Sequence, residues 1–151
     1  ILSTWPNNWP EDVEAGQALL TMASSAGKLT HQVLGLRGYL QYIRGNKTIS
    51  NDEKVAKIMA VQSHIKRAQE KRQVIAVLGE APSASALDLL KTLAEDPAVL
   101  EETYAAMTRV ASQNVQGISK AQRRQVLQTV TEKSRNNSTK RRARNALRGL
   151  K

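Results

Sequence analysis

Two histidines, several neighbouring acids and a run of arginines are the residues of this sequence that could do chemistry, and their spacing limits what kind. His31 and His64 fall on different predicted helices, with no His-x-x-x-His or His-Glu-x-x-His arrangement. A zinc site would therefore need further ligands drawn from scattered carboxylates. Cysteine is absent, which removes disulfides, thiolate metal sites and cysteine nucleophiles together. Neighbouring carboxylates occur at Asp12/Glu14, Asp52/Glu53 and Glu101/Glu102. Paired carboxylates hydrolyse a substrate when a cleft or burial splits their pKa values. These pairs instead sit in the opening turns of predicted helices, where the helix dipole favours negative charge. Gly35-Leu36-Arg37-Gly38 has no strand before it, so it is read as close helix packing and not as a phosphate loop. The sequence thus offers no catalytic residues, no metal ligands and no cofactor motif.

The basic residues are the sharper signal. Lys140, Arg141, Arg142, Arg144 and Arg148 share one short helix, and Lys120, Arg123 and Arg124 open the one before it. The chain carries 23 Lys+Arg against 13 Asp+Glu, a net charge of +10. Divided along the chain, residues 1–60 sum to +1, residues 61–111 to −1 and residues 112–151 to +10. Such an end could meet phosphates, with affinity falling steeply as salt rises. It could equally meet an acidic protein surface, or be the solvated polar face of a terminal repeat. Aromatics are 3% of residues with no Phe, too few for a platform that stacks single-stranded bases. Trp5-Pro6-Asn7-Asn8-Trp9 is the one aromatic-rich stretch. It could stack on a sugar ring or a base, or plug the open end of an array.

The elements that must position these groups read as helices throughout. Apolar residues recur at helical spacing, and no alternating run marks a strand. With 40% hydrophobic residues and no run near ~18 apolar residues, no membrane span is expected. Eight helices are predicted. Pro10-Glu11-Asp12 opens the first, with Val13, Leu19, Leu20 and Ala23 on its inner face. The second covers about Thr30 to Arg44. Ser50 and Glu53 form a capping box for the third, whose stripe is Val55, Ile58, Met59, Gln62 and Ile65. The fourth spans Gln69 to Gly79. Ser83 caps the fifth, which ends at Glu95-Asp96-Pro97; the sixth runs from Pro97 to Ser112. Ser119 opens the seventh. Asn136-Asn137-Ser138 breaks it, and the last runs from Thr139.

Four of these helices share an ending. Leu40, Leu78, Met107 and Leu147 occupy one core position, and Ile43, Ala81, Val110 and Leu150 the position three residues on. The segment from Ala86 to Val99, with its Asp96-Pro97 turn between helices, resembles a HEAT repeat, and so does Thr139–Leu150 with Ala143, Ala146, Leu147 and Leu150. The uneven spacing of the endings departs from the roughly 40-residue family period. The resemblance implies an all-α fold, a right-handed α-α superhelix of about four stacked antiparallel helix pairs. Residues 1–10 then form the tail of a preceding repeat or a linker. Residues 11–151 form the HEAT-like array, closed by a basic C-terminal capping repeat.

In such an array the second helix of each pair lines the concave face. The outward positions there include Arg37, Lys71, Arg72, Tyr104, Arg109, Arg141 and Arg144; all of these except Arg109, together with Lys140, are the expected partner-binding residues. The resemblance further implies a non-catalytic, armadillo-like scaffold that holds a protein partner or adjacent domains of its own chain. It also implies a piece of a larger bacterial multidomain protein, with a preference for an exported or periplasmic location. The Ile1 start fits a piece of a longer chain, and no signal peptide is visible. The competing expectation is nucleic-acid binding through the basic C-terminal helices; a small-molecule ligand is not expected.

Overall fold

The computed structural model of this chain describes residues 12–25 and 27–150. Eight α-helices are present among them: α1 (Val13–Ser25), α2 (Leu29–Gly45), α3 (Asn51–Ala60), α4 (Ala68–Glu80), α5 (Ala84–Leu93), α6 (Leu100–Ala111), α7 (Lys120–Lys133) and α8 (Asn137–Gly149). Short 3-10 turns at Gln62–His64 and Pro97–Val99 complete the regular structure, and no strand occurs among the described residues. The expected tail at 1–10, with its tryptophans, lies outside the described residues.

Local side chains fix where the helices begin. At α3 the Glu53 N–H donates to Ser50 Oγ at 3.1 Å, and the Ser50 N–H donates to Glu53 Oε2 at 2.6 Å. These close the predicted capping box, and they hold the Glu53 carboxyl below its ordinary range. Ser119 and Gln122 repeat the device at α7, with bonds of 3.1 and 2.8 Å. Ser83 Oγ accepts from the Ala86 N–H at 3.0 Å to start α5. Asp12 lies just outside α1 and caps it, accepting from the N–H groups of Glu14 and Ala15 at 2.9 and 3.1 Å.

Several boundaries differ from the sequence expectation. The third helix stops at Ala60, and a tight turn over Gln62–His64 replaces its expected last turn, leaving Gln62 exposed. Pro97 starts a 3-10 turn capped by Asp96, whose Oδ1 accepts from the Ala98 N–H at 2.9 Å, and the α-helix begins only at Leu100. The last helix begins at Asn137 because Asn136, read as part of a breaker, is an N-cap, its Oδ1 accepting from the Thr139 N–H at 3.1 Å. Asn and Ser disfavour helix interiors through the same local hydrogen bonding that makes them good caps. Val13 and Met59, placed on inner stripes by periodicity, are 74% and 55% exposed. One begins its helix and the other is the last residue but one of its own, where few neighbours reach.

The chain divides into two compact units, Ile1–Val77 and Leu78–Lys151, with the boundary inside α4. In the first unit α1 packs on α2 and α2 meets α3. Leu19, Leu36, Leu40, Ile43, Val55, Ile58 and Val74 form its core. Gly35 permits the α1–α2 approach: a Cβ there would stand 2.6 Å from the Ala23 backbone nitrogen and 2.8 Å from the Met22 carbonyl carbon. In the second unit α6 packs against α5, α7 and α8, and α7 packs on α8. Leu87, Leu90, Val99, Met107, Val110, Leu127, Val130 and Ala143 form that core. Its central place buries α6 on more than one side, and this overturns the outward placement of Tyr104, which is only 5% exposed. Seen from one helix, position 104 lies beyond the main stripe. With three helices packed around α6, the flank carrying Tyr104, Thr108 and Ala111 is interior as well.

Candidate functional site

A shallow groove lies between helices in each unit. In the first unit Leu40, Gln41, Arg44, Gln69, Arg72 and Gln73 are among the residues lining a groove of about 270 Å³ between α2 and α4. In the second, α6 and α8 with the end of α4 line one of about 340 Å³, bounded by Gly79, Ala105, Thr108, Arg109, Thr139 and Arg142 among others. Both open widely to solvent, and each carries two arginines: Arg44 of α2 and Arg72 of α4 in the first, Arg109 of α6 and Arg142 of α8 in the second.

The expected partner-binding residues sort by what already holds them. Arg37 is half-buried and donates from Nη2 to Gln69 Oε1 at 2.8 Å, tying α2 to α4, while its Nε is buried without a hydrogen-bond partner. Lys71 is half-buried and Arg72 exposed, and both have partners already. Lys140 is half-buried; Arg141 and Arg144 are exposed, and neither guanidinium meets a carboxylate among the described residues. A helix turns about 100° per residue, so Arg141, Arg144 and Arg148 share a side of α8 away from Arg142. The residues brought together in the second groove are Arg109 and Arg142, with Thr139. Thr139 was not foreseen, because nothing in its sequence context separates a groove threonine from an ordinary helix-start threonine.

Part of the basic cluster is structural. Arg123 donates from Nε to the Ala111 carbonyl at 2.8 Å and from Nη2 to the Ser112 carbonyl at 3.1 Å, satisfying acceptors at the C-terminus of α6. Arg124 Nη2 reaches the Leu150 carbonyl at the end of α8 at 3.3 Å. Both place a cation against the negative pole of a helix. An acid of the same unit, Glu101, is structural as well. It accepts from Ser134 Oγ at 2.6 Å and from the N–H groups of Arg135 and Asn136 at 2.7 and 3.3 Å, fastening the turn that enters α8. Burial pushes the Glu101 carboxyl up, yet these three donors and the Arg135 charge hold it below its ordinary range. Tyr104 responds in the opposite sense: burial, then the Glu101 charge, raise its phenol.

Among the described residues one carboxylate is buried. Glu70 is 2% exposed and opens on a cleft of about 100 Å³ with Gln32, His64, Lys66 and Arg67 around it. Its Oε2 accepts from the Lys66 and Arg67 N–H groups, each at 3.3 Å, so it serves the N-terminus of α4. At about 30 Å³ per water the cleft holds roughly three waters, too little for a substrate of ordinary size. The described residues contain no group of three or more His, Asp or Glu side chains able to hold a metal ion. None of the helices among them is long and apolar enough to cross a membrane. Tyr39 and Tyr42 stack with centroids 6.2 Å apart, and with Tyr104 all three tyrosines are buried, so none presents a ring for stacking. The chain matches no protein-family model, no curated protein and no solved structure.

Proposed function

We propose that this chain is a HEAT-like array of helix pairs, stacked as a right-handed superhelix, that binds another protein and performs no catalysis of its own. The observation that supports this reading is the groove in each unit: a shallow, open, arginine-flanked surface between helices. Open grooves suit contact with a chain segment better than capture of a small molecule, which favours enclosure. The broader context is a larger bacterial multidomain protein, with an exported location as the corollary of the family resemblance.

A second reading, nucleic-acid binding through α8, draws on the exposed Arg141, Arg144 and Arg148. Binding of a short DNA duplex at low and high salt separates the two. Weak binding abolished by salt is the generic behaviour of a basic protein and agrees with the scaffold reading. Tight binding that persists at physiological salt and is lost on neutralising Arg141, Arg142 and Arg144 would refute it.

A further inference from the structure

We propose that the groove between α6 and α8 receives an acidic segment of the partner protein, with an apolar side chain seated in the groove and carboxylates paired to Arg109 and Arg142. The proposal rests on the protein-binding reading and names the chemistry of the partner.

The donors of this groove divide into two sets. Thr108 Oγ1 donates to the Tyr104 carbonyl at 2.8 Å, Ser112 Oγ to the Thr108 carbonyl, and Gln113 Nε2 to the Arg109 carbonyl at 3.2 Å. These hydroxyl and amide donors are taken up by α6 itself. The guanidinium groups of Arg109 and Arg142 have no hydrogen bond or ion pair among the described residues, and neither does the Thr139 hydroxyl, although Thr139 is only 7% exposed. The two guanidiniums are exposed and served by water, and with the Thr139 hydroxyl beside them they form a set of donors for which the described residues supply no acceptor, so a bound carboxylate meets cations that no acid among those residues has neutralised. The first turn of α8 contains no acidic residue, so nothing there opposes an incoming negative charge.

The walls are apolar. Ala105 and Gly79 form part of them, and the Gly79 position lies close enough to Arg109 that a Cβ would stand 3.7 Å from Nη1. A volume of about 340 Å³ is at the small end of ligand sites, suited to a side chain and its neighbours. An apolar wall under a cationic rim matches an apolar residue flanked by acids. The first-unit groove has the same construction, but its Arg44 and Arg72 already have partners and glutamines line it. Single-stranded nucleic acid is the poorer occupant, because the buried tyrosines give its bases nothing to stack on among the described residues.

The test is an NMR titration of the full chain with the peptide Glu-Glu-Leu-Glu-Glu, its Gln-Gln-Leu-Gln-Gln counterpart and a short DNA duplex. The acidic peptide is expected to shift the amides of Gly79, Ala105, Thr139 and Arg142, and the glutamine peptide to do so far more weakly. Arg109→Gln combined with Arg142→Gln should raise Kd for the acidic peptide about tenfold, and Thr139→Val severalfold. Arg141→Gln combined with Arg144→Gln removes the same charge from the other side of α8 and should change Kd less than about twofold. Equal losses in the two double variants, or shifts mapping outside the groove, would overturn the proposal. If the wild-type chain binds neither peptide nor duplex, the groove assignment fails and the protein-binding reading stands. Tight duplex binding lost with Arg141 and Arg144 would remove that reading as well.

Discussion

Glu101 is the residue whose removal should reveal how α8, and with it the second-unit groove, is held in place. It belongs to α6, yet its three hydrogen bonds go to the turn at Ser134, Arg135 and Asn136. A hydrogen bond to a charged group is worth about 1.5–3 kcal/mol when sheltered. Arg135 and Asn136 are exposed, so water takes over at their N–H groups, and solvent screening reduces the sum. Ser134 is buried, and its hydroxyl loses a short 2.6 Å acceptor. Together these give about 2 kcal/mol for Glu101→Ala and about 1 kcal/mol for Glu101→Gln, which keeps one acceptor. At about 3 °C per kcal/mol for a chain of this size, the alanine variant should melt about 6 °C lower. Circular dichroism melts and urea titrations read both values. The folded carboxyl titrates below its ordinary range, so its stabilisation is complete above about pH 4.5. It disappears as pH falls through the lowered folded value. The gap between wild type and Glu101→Ala should therefore be constant from neutral pH to about pH 5 and narrow below that. A loss under about 0.5 kcal/mol at pH 7, or a gap that persists undiminished in strong acid, would refute the account.

Three further outcomes are expected. Arg123→Ala should lower the urea midpoint by an amount equal to about 1 kcal/mol with unchanged slope, because two carbonyls at the end of α6 lose their donor. Arg123→Lys should not restore it, since a point-charge ammonium does not reproduce the two-pronged contact. Gly35→Ala should destabilise by about 1–2 kcal/mol, overpacking against the Met22–Ala23 backbone exceeding the gain in helix propensity. Ser50→Ala should cost about 1 kcal/mol by opening the α3 capping box. It should also return the Glu53 carboxyl toward its ordinary range, which NMR titration of that side chain would follow.

The helices were legible because their signals are local. Ser50 with Glu53, Ser83, Ser119 and the Asp96-Pro97 turn lie within a few residues of the boundaries they set, and the structure uses each of them at a helix start. The shared core endings at Leu40, Leu78, Met107 and Val110 are buried as the 3.6-residue period requires. Leu147 at the equivalent position is only half-buried. It belongs to the last helix of the chain, where fewer neighbours remain to cover the stripe.

The site was legible only as a charge. The sequence by itself determined that the positive charge gathers in the last forty residues and that no cysteine or histidine motif supports metal or nucleophilic chemistry. Only the tertiary structure decided how the cations are divided. Arg123 and Arg124 face helix carbonyls, Arg141 and Arg144 face solvent, and Arg142 meets Arg109 across a groove. It also buried Tyr104 and drew Glu101 to a turn more than thirty residues away in sequence. Helix periodicity reports which side of one helix is apolar. It carries no information on how many neighbours surround that helix or which distant carbonyl an arginine can reach, because those depend on contacts formed only when the helices pack together.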